Sequence, residues 1–474
     1  MISRSMGHGT ANTCPSVAPV LRADKGAVRR ERTLEQGNSG VVGKPTRLPA
    51  SGPATVRRVI RGLDPRMLAS APPTCRGRSC LHTGGGWAVI GMAWVLSAMV
   101  GAQPYTPRHD DEVLERLQPG TGGAEVRRQR EELANDPENL RDSLDLARSY
   151  IVGFGTEGDR RFLDFARAVL GPWSGTVQAP PGVLALRGCI RLVEWEYDAA
   201  LRDFREVLAR DPENLEARRG AIAACLSRAD FAEAGRLLGA WPSGVASLDR
   251  ALCEARLGRM GNGLTEARAR LAAALAQAGG TDPGRRSEVW ILLADLALQA
   301  GDTASASTHF ASCAALGHRD VATFEALTDW YLATKRSADV LALLAPESPL
   351  DSYVLRLAEA WQTVPPPDSR EDDRRRVLIH QLEQRLQARR RRGDASGISL
   401  ELRFRTRIRP DSAAARELAR ELWRVRRDLA DVGWILRAAD KALRAEVEVW
   451  LQRHQIQDVR LGEFGVGASG EVRP

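Results

Sequence analysis

Several groups of residues have the types and spacing of chemical sites. Gly153-Phe154-Gly155-Thr156-Glu157-Gly158 carries the G-x-G-x-x-G spacing with which a backbone approaches a pyrophosphate. That chemistry needs a strand before the glycines and a helix after them, whereas the residues before Gly153 have helical periodicity from 140 to 152. A second match, Gly465-Val466-Gly467-Ala468-Ser469-Gly470, is followed by too few residues for a helix. Glu194, Glu196, Asp198 and Asp203 are near enough in sequence for paired-carboxylate acid–base work. They fall at a turn and the first turns of a helix, where acids favour the helix dipole. His109-Asp110-Asp111 has metal-ligand chemistry but reads as a helix entry, and Cys75 and Cys80 lack a second ligand pair for zinc. H-E-x-x-H, G-x-S-x-G and Walker A patterns are absent from the sequence. No catalytic, cofactor-binding or metal-binding residue is therefore assigned, and no cofactor is expected.

The elements behind these residues are helical. Leu, Ala, Arg and Glu are abundant while aromatic and β-branched residues are sparse, the bias of long helices packed side by side. Cys189, Cys225, Cys253 and Cys313 fall within helical stretches and are expected to fill small buried positions. The formal charge of +8 is unevenly placed: residues 1–86 hold 14 Lys+Arg against 4 Asp+Glu, so the remainder is close to neutral at −2. A near-neutral body lacks the positive field of a nucleic-acid binder, and none is expected as a partner. Only four basic residues are Lys, a bias towards Arg that genomic base composition alone can produce.

Residues 1–86 are rich in Gly, Pro, Ser and Arg without sustained apolar periodicity, and are expected to form a disordered leader. Residues 59–67 within it resemble the translation of a bacterial intergenic repeat, which places the true start downstream, with Met67 a candidate. The apolar run of residues 87–102 resembles a signal peptide h-region, with the small residue Ala102, and Val100 two before it, ahead of a cut at Gln103. It is shorter than the roughly 20 residues of a membrane span, although the uncharged stretch from Leu81 to Thr106 also suits an anchor. The expected address is periplasmic or exported. An inner-membrane anchor and a cytoplasmic protein are the alternatives.

After a linker over 103–123, amphipathic helices continue almost to the C-terminus. Asp136-Pro137-Glu138-Asn139 returns as Asp211-Pro212-Glu213-Asn214, each time ending one helix and opening another. At 181–214, Leu184, Gly188, Tyr197, Ala200, Phe204 and Pro212 stand where the tetratricopeptide repeat places its large, small, turn, core and stop residues. At 287–320, Trp290, Leu293, Ala294, Gly301, Ala306 and Phe310 do the same. The chain resembles a tetratricopeptide protein, which implies an all-α solenoid of antiparallel A and B helices. Further units read at 140–173, 215–242 and 321–346, and 246–278 reads as a degenerate pair broken at Gly258–Gly263. The array spans 124–364. A charged helix (about 370–392) and loop fill 365–411, C-terminal helices at 412–427, 430–443 and 445–456 lie within 412–460, and a tail covers 461–474.

The resemblance implies a concave groove lined by A helices. Carrying the family's groove positions over gives Arg141, Leu144, Arg148 and Ile151, then Glu216, Arg219 and Leu226, then Glu288, Ile291, Asp295 and Gln299, then Glu325, Asp329 and Leu332. Early units place arginines inward and later ones acids, as an oriented protein or peptide partner with complementary ends would require. Leu144 and Arg148 stand where a chaperone-tail clamp needs Lys and Asn, so a C-terminal carboxylate ligand is not expected. The leading functional expectation is a non-catalytic scaffold that binds a protein or peptide in this groove. A structural subunit of an envelope assembly, working through convex or capping surfaces, is the alternative; an enzyme assembled from separate repeats is a more distant one.

N-terminal sequencing of the native protein tests the address. Export with cleavage yields a chain beginning at Gln103, whereas an intact chain beginning at Met1 in the cytosol contradicts it.

Overall fold

The computed structural model describes residues 123–175, 179–242, 244, 248–261, 263–344 and 350–465. The leader, the apolar run at 87–102, His109-Asp110-Asp111, Cys75 and Cys80 lie outside the described residues, as does the 466–470 part of the second glycine motif.

Among the described residues there are nineteen α-helices and no strand. A lead helix α1 (Gly123–Asn135) precedes nine consecutive helix pairs. The first five are α2 (Leu140–Glu157) with α3 (Arg161–Ser174), α4 (Pro181–Val193) with α5 (Tyr197–Arg210), α6 (Leu215–Ser227) with α7 (Phe231–Gly239), α8 (Leu248–Gly258) with α9 (Leu264–Gln277), and α10 (Pro283–Gln299) with α11 (Thr303–Ala315). Then follow α12 (Val321–Ala333) with α13 (Ser337–Leu343), α14 (Asp351–Trp361) with α15 (Ser369–Arg391), α16 (Ile398–Arg407) with α17 (Ser412–Val425), and α18 (Leu429–Ala438) with α19 (Lys441–Arg453). The chain is thus an α-solenoid of antiparallel pairs, each A helix packing on its own B helix and on neighbouring A helices.

The recurrent tetrapeptide works the same way twice. The amide of Asp136 or Asp211 closes the preceding helix on Glu132 O or Val207 O. Three residues on, the side chain of Asn139 or Asn214 caps the next helix by accepting from Asp142 N (3.1 Å) or Ala217 N (3.0 Å). A second periodicity lies in the backbone. The turn from helix A to helix B passes through the left-handed region at Trp195 (φ 67°), Ala229 (60°), Gly301 (82°) and Lys335 (60°). The intervals 195–229 and 301–335 each equal the 34-residue repeat.

Close helix crossings explain the small residues. A Cβ on Gly188 would lie 2.6 Å from Phe204 Cε1, and one on Gly220 would lie 2.3 Å from Phe204 Cζ. The fully buried ring therefore fills the space between α4 and α6 that two absent side chains leave. Pro181 and Pro283 occupy first-turn positions of α4 and α10, where a missing N–H costs no hydrogen bond.

Several boundaries differ from the sequence reading. The glycines at 258–263 are the turn joining α8 to α9, so this pair is regular rather than broken. Helix α14 lies where the sequence reading places no unit, and α16 extends the stack through what reads as loop. The helix expected over 430–443 ends at Ala438, since Asp440 turns its side chain onto Leu443 N and starts α19.

The last pairs return to the first. Side chains of α16–α19 share one continuous core with those of α2–α8. Phe231 stacks edge-on to His454 (4.8 Å), Arg426 lies 4.9 Å over Trp195, and Arg427 N donates to Ser227 O at 3.0 Å. Arg160 pairs with Asp394 (3.6 Å) and donates to Ser396 (2.9 Å).

Two substitutions test these constraints by urea unfolding. Gly220→Ala is expected to cost about 1–3 kcal/mol by overpacking, and less in a Phe204→Leu background. Lys335→Gly, which relieves a left-handed side chain at an exposed turn, is expected to gain about 0.5–1 kcal/mol.

Candidate functional site

The face formed by the A helices gathers most of the sequence-derived groove residues, and its charges are ordered. Arg148 on α2 reaches Glu216 on α6 (3.5 Å), and Arg219 on α6 reaches Asp249 on α8 (3.6 Å). From α8, Arg256 pairs with Glu288 on α10 (2.6 Å), while Arg285 on α10 pairs with the same carboxylate and with Asp249 (3.2 Å). Ser287 and Thr323 share a hydroxyl hydrogen bond of 2.6 Å between α10 and α12. Arg356 on α14 forks onto Asp329 of α12 at 3.0 and 2.7 Å and lies 3.6 Å from Glu325. Arg403 on α16 joins Asp329 (2.8 Å) and Glu359 (2.5 Å), and Ser399 donates to Asp431 on α18 (2.6 Å). A polar seam therefore runs from α2 to α18.

Burial sets the electrostatics of this seam. Desolvation pushes the Glu288 carboxyl up, but Arg285 and Arg256 outweigh it and hold the group below the usual carboxylate range. Asp295 is likewise held low against burial by Arg259 and Arg460. Glu325 goes the other way: burial raises it and Arg356 only partly compensates. Arg403, although buried, stays firmly charged beside Asp329 and Glu359.

The residues with apparent chemistry are equally committed. Gly153 and Gly155 lie inside α2, and Gly158 is its left-handed C-cap (φ 69°). Glu194 pairs with Arg160 (2.9 Å) and Arg167, Asp198 with Arg228, and buried Asp203 with Arg187 (2.7 Å) and Arg191 (2.6 Å). The four described cysteines are free and buried, and burial lifts the thiols of Cys225 to about 12 and of Cys253 and Cys313 to about 11, leaving them protonated. His318 is held by Asp320 (3.0 Å), the residue that caps α12. His309 stacks on Trp290 at 5.3 Å.

Residues 195–246, which span α5, α6 and α7, match the family profile of the tetratricopeptide repeat. The chain is a tetratricopeptide-type repeat protein. No match to a curated protein was found. Tetratricopeptide repeats usually mediate protein–protein interaction and are generally non-catalytic.

Within this repeat protein the groove positions divide. Arg141 is open to solvent with 89% of its side chain exposed, and Arg148 and Glu216 are partly exposed. Arg219 and Asp295 are largely covered, and Glu288, Glu325 and Asp329 are buried, Asp329 at 1% exposure. The later acids of that groove face arginines of the same chain: Arg256, Arg285, Arg356, Arg403 and Arg460 pair with them. Sequence reasoning overlooked those arginines. A signal existed in opposite charges on successive A helices about one repeat apart, as in Asp329 and Arg356.

Removing one partner from the seam is expected to be costly. Asp329→Ala strands two buried guanidinium groups and should lose about 3–5 kcal/mol in chemical denaturation, whereas Arg141→Ala should stay within about 0.5 kcal/mol of the parent. The stability that Glu288 and Asp295 supply is fully present above about pH 4.5 and falls away as pH drops through their depressed values. Acid unfolding followed by circular dichroism should accordingly begin only below that pH.

Proposed function

We propose that this protein is an interaction scaffold that binds a protein or peptide on the open N-terminal stretch of its A-helix face. The observation that carries the reading is the contrast along that face. From α8 onward the charges are spent inside the chain, while Arg141, Asp145, Arg148 and Glu216 keep exposed polar groups on a backbone already held rigid by the seam. Preorganisation of this kind lowers the ordering cost of binding. The mixed charges there suit a partner segment with both acidic and basic groups.

Placement in the cell envelope is part of the proposal, supported by the apolar run of residues 87–102 and its small residues before Gln103. A second reading, a structural subunit that works through outer helix faces, is favoured by one feature. The 23-residue helix α15 carries Arg374, Arg376 and Val377 on its exposed side, apart from the A-helix face.

Crosslinking of the native protein in cells, followed by peptide mass spectrometry, separates the two. Partner crosslinks concentrated on α2 and α6, and lost with Arg141→Glu/Arg148→Glu at unchanged helical circular dichroism, support the scaffold reading. Crosslinks confined to α15 and other B helices, and indifferent to that double substitution, support the assembly subunit instead.

A further inference from the structure

One stretch of the A-helix face is covered by a segment remote in sequence. The terminal 3-10 helix Val459–Phe464 lies on α10 and the turn after α8. Arg460, only 7% exposed, places its guanidinium 2.7 Å from Asp295, and Asp458 braces it from behind at 2.8 and 2.5 Å. Asp295 is shared with Arg259 at 2.5 Å. Buried Gln299 donates to the carbonyl of Gln457 (2.8 Å) and to that of Arg259 (2.9 Å). Val459 packs beside Gly301, where a Cβ would meet its methyl group at 3.4 Å, and Leu461 is buried.

Towards α10 the segment is held by side chains and carbonyls, as a bound peptide is, while its end packs on α18 with Leu461 in the shared core. Within the segment Leu461 N donates to Asp458 O and Gly465 N to Gly462 O, while its end is tied to the last helix pair: Phe464 O accepts from Arg444 (2.9 Å) and Glu463 pairs with Arg437 (2.6 Å). Its grip on α10 is one ion pair, one side-chain hydrogen bond to a carbonyl and a small apolar contact. A buried ion pair returns little net energy once desolvation is counted, so such a grip is exchangeable. Elsewhere in the seam, by contrast, charged partners come from A helices stacked in the array.

We propose that the segment 457–464 is a cis-bound ligand of a peptide site on α10, and that partners displace it by presenting the same chemistry, an arginine followed by an aliphatic residue. The site extends the binding surface of the A-helix face and rests on the reading of that face as an interaction surface. Occupied, it is closed to partners; vacated, it offers the Asp295 carboxylate, the Gln299 amide and the cleft beside Gly301.

The test uses the full chain with Arg460→Ser/Leu461→Ser, which changes no residue of any α-helix, and a fluorescent peptide of sequence Ile456–Phe464. The opened chain is expected to bind this peptide at least tenfold more tightly than the parent chain. Replacing the peptide's arginine by serine, or adding Asp295→Asn to the opened chain, should remove at least tenfold of that affinity. Equal binding by parent and opened chains, or none by an opened chain that melts cooperatively, overturns the proposal. If the opened chain does not fold, hydrogen exchange of the parent decides. Amides of 458–464 exchanging at least tenfold faster than those of α10 support a displaceable segment, and exchange only with α10 contradicts it. Peptide binding without any cellular crosslink to α2 and α6 would leave the site standing while the scaffold reading fails, and the reverse outcome would do the opposite.

Discussion

The interaction on which the structure depends is the run of arginine–carboxylate pairs that ties α2, α6, α8 and α10 to one another, and likewise α12, α14 and α16. A solenoid has no strand ladder to align its elements, so register rests on the facing side chains. Apolar contacts supply most of the driving force but tolerate sliding. A forked guanidinium does not: Arg356 meets both oxygens of Asp329 at 3.0 and 2.7 Å only in one arrangement of α12 and α14. Arg403 then fixes α16 against both preceding A helices through Asp329 and Glu359. Buried pairs of this kind add little net stability over apolar substitutes, yet they penalise every misaligned state heavily.

The same seam limits where binding can occur. A carboxylate already matched by an arginine at 2.6–2.8 Å has little left to offer a partner, and a buried one has no access to it. The inner charges from α8 onward are thus frame, and recognition moves to places where the frame is incomplete. Those are the N-terminal end, where Arg141 has only a distant partner at 4.0 Å, and α10, where Asp295 is met by the chain's own terminus.

Much of this was legible in the sequence. The small residue at 188, the aromatic at 204 and the Asp-Pro-Glu-Asn turns report local helix geometry, which needs only neighbours in the chain, and these identified the pairs. Asn139 and Asn214 could be read as caps for the same reason. What could not be read depends on residues far apart. Repeat spacing hints at Arg356 for Asp329, but nothing in the sequence says that Arg403 will join them, and nothing near Asp295 points to Arg460, 165 positions later. Family groove positions place a side chain on a face, but whether that face is open depends on how later pairs fold back. Helix α16 is hard to read for a different reason, since its buried Leu400 and Phe404 lie in a segment with a polar majority.

The central claim is that charges on the A-helix face are coupled to one another within the chain. A double-mutant cycle on Arg256 and Glu288, measured by equilibrium unfolding at low and high salt, tests it most directly. A coupling of at least about 1 kcal/mol that survives high salt is predicted for a desolvated pair. A coupling near zero, or one abolished by salt, would mean that these side chains are solvated and free to serve a partner, and would contradict the account.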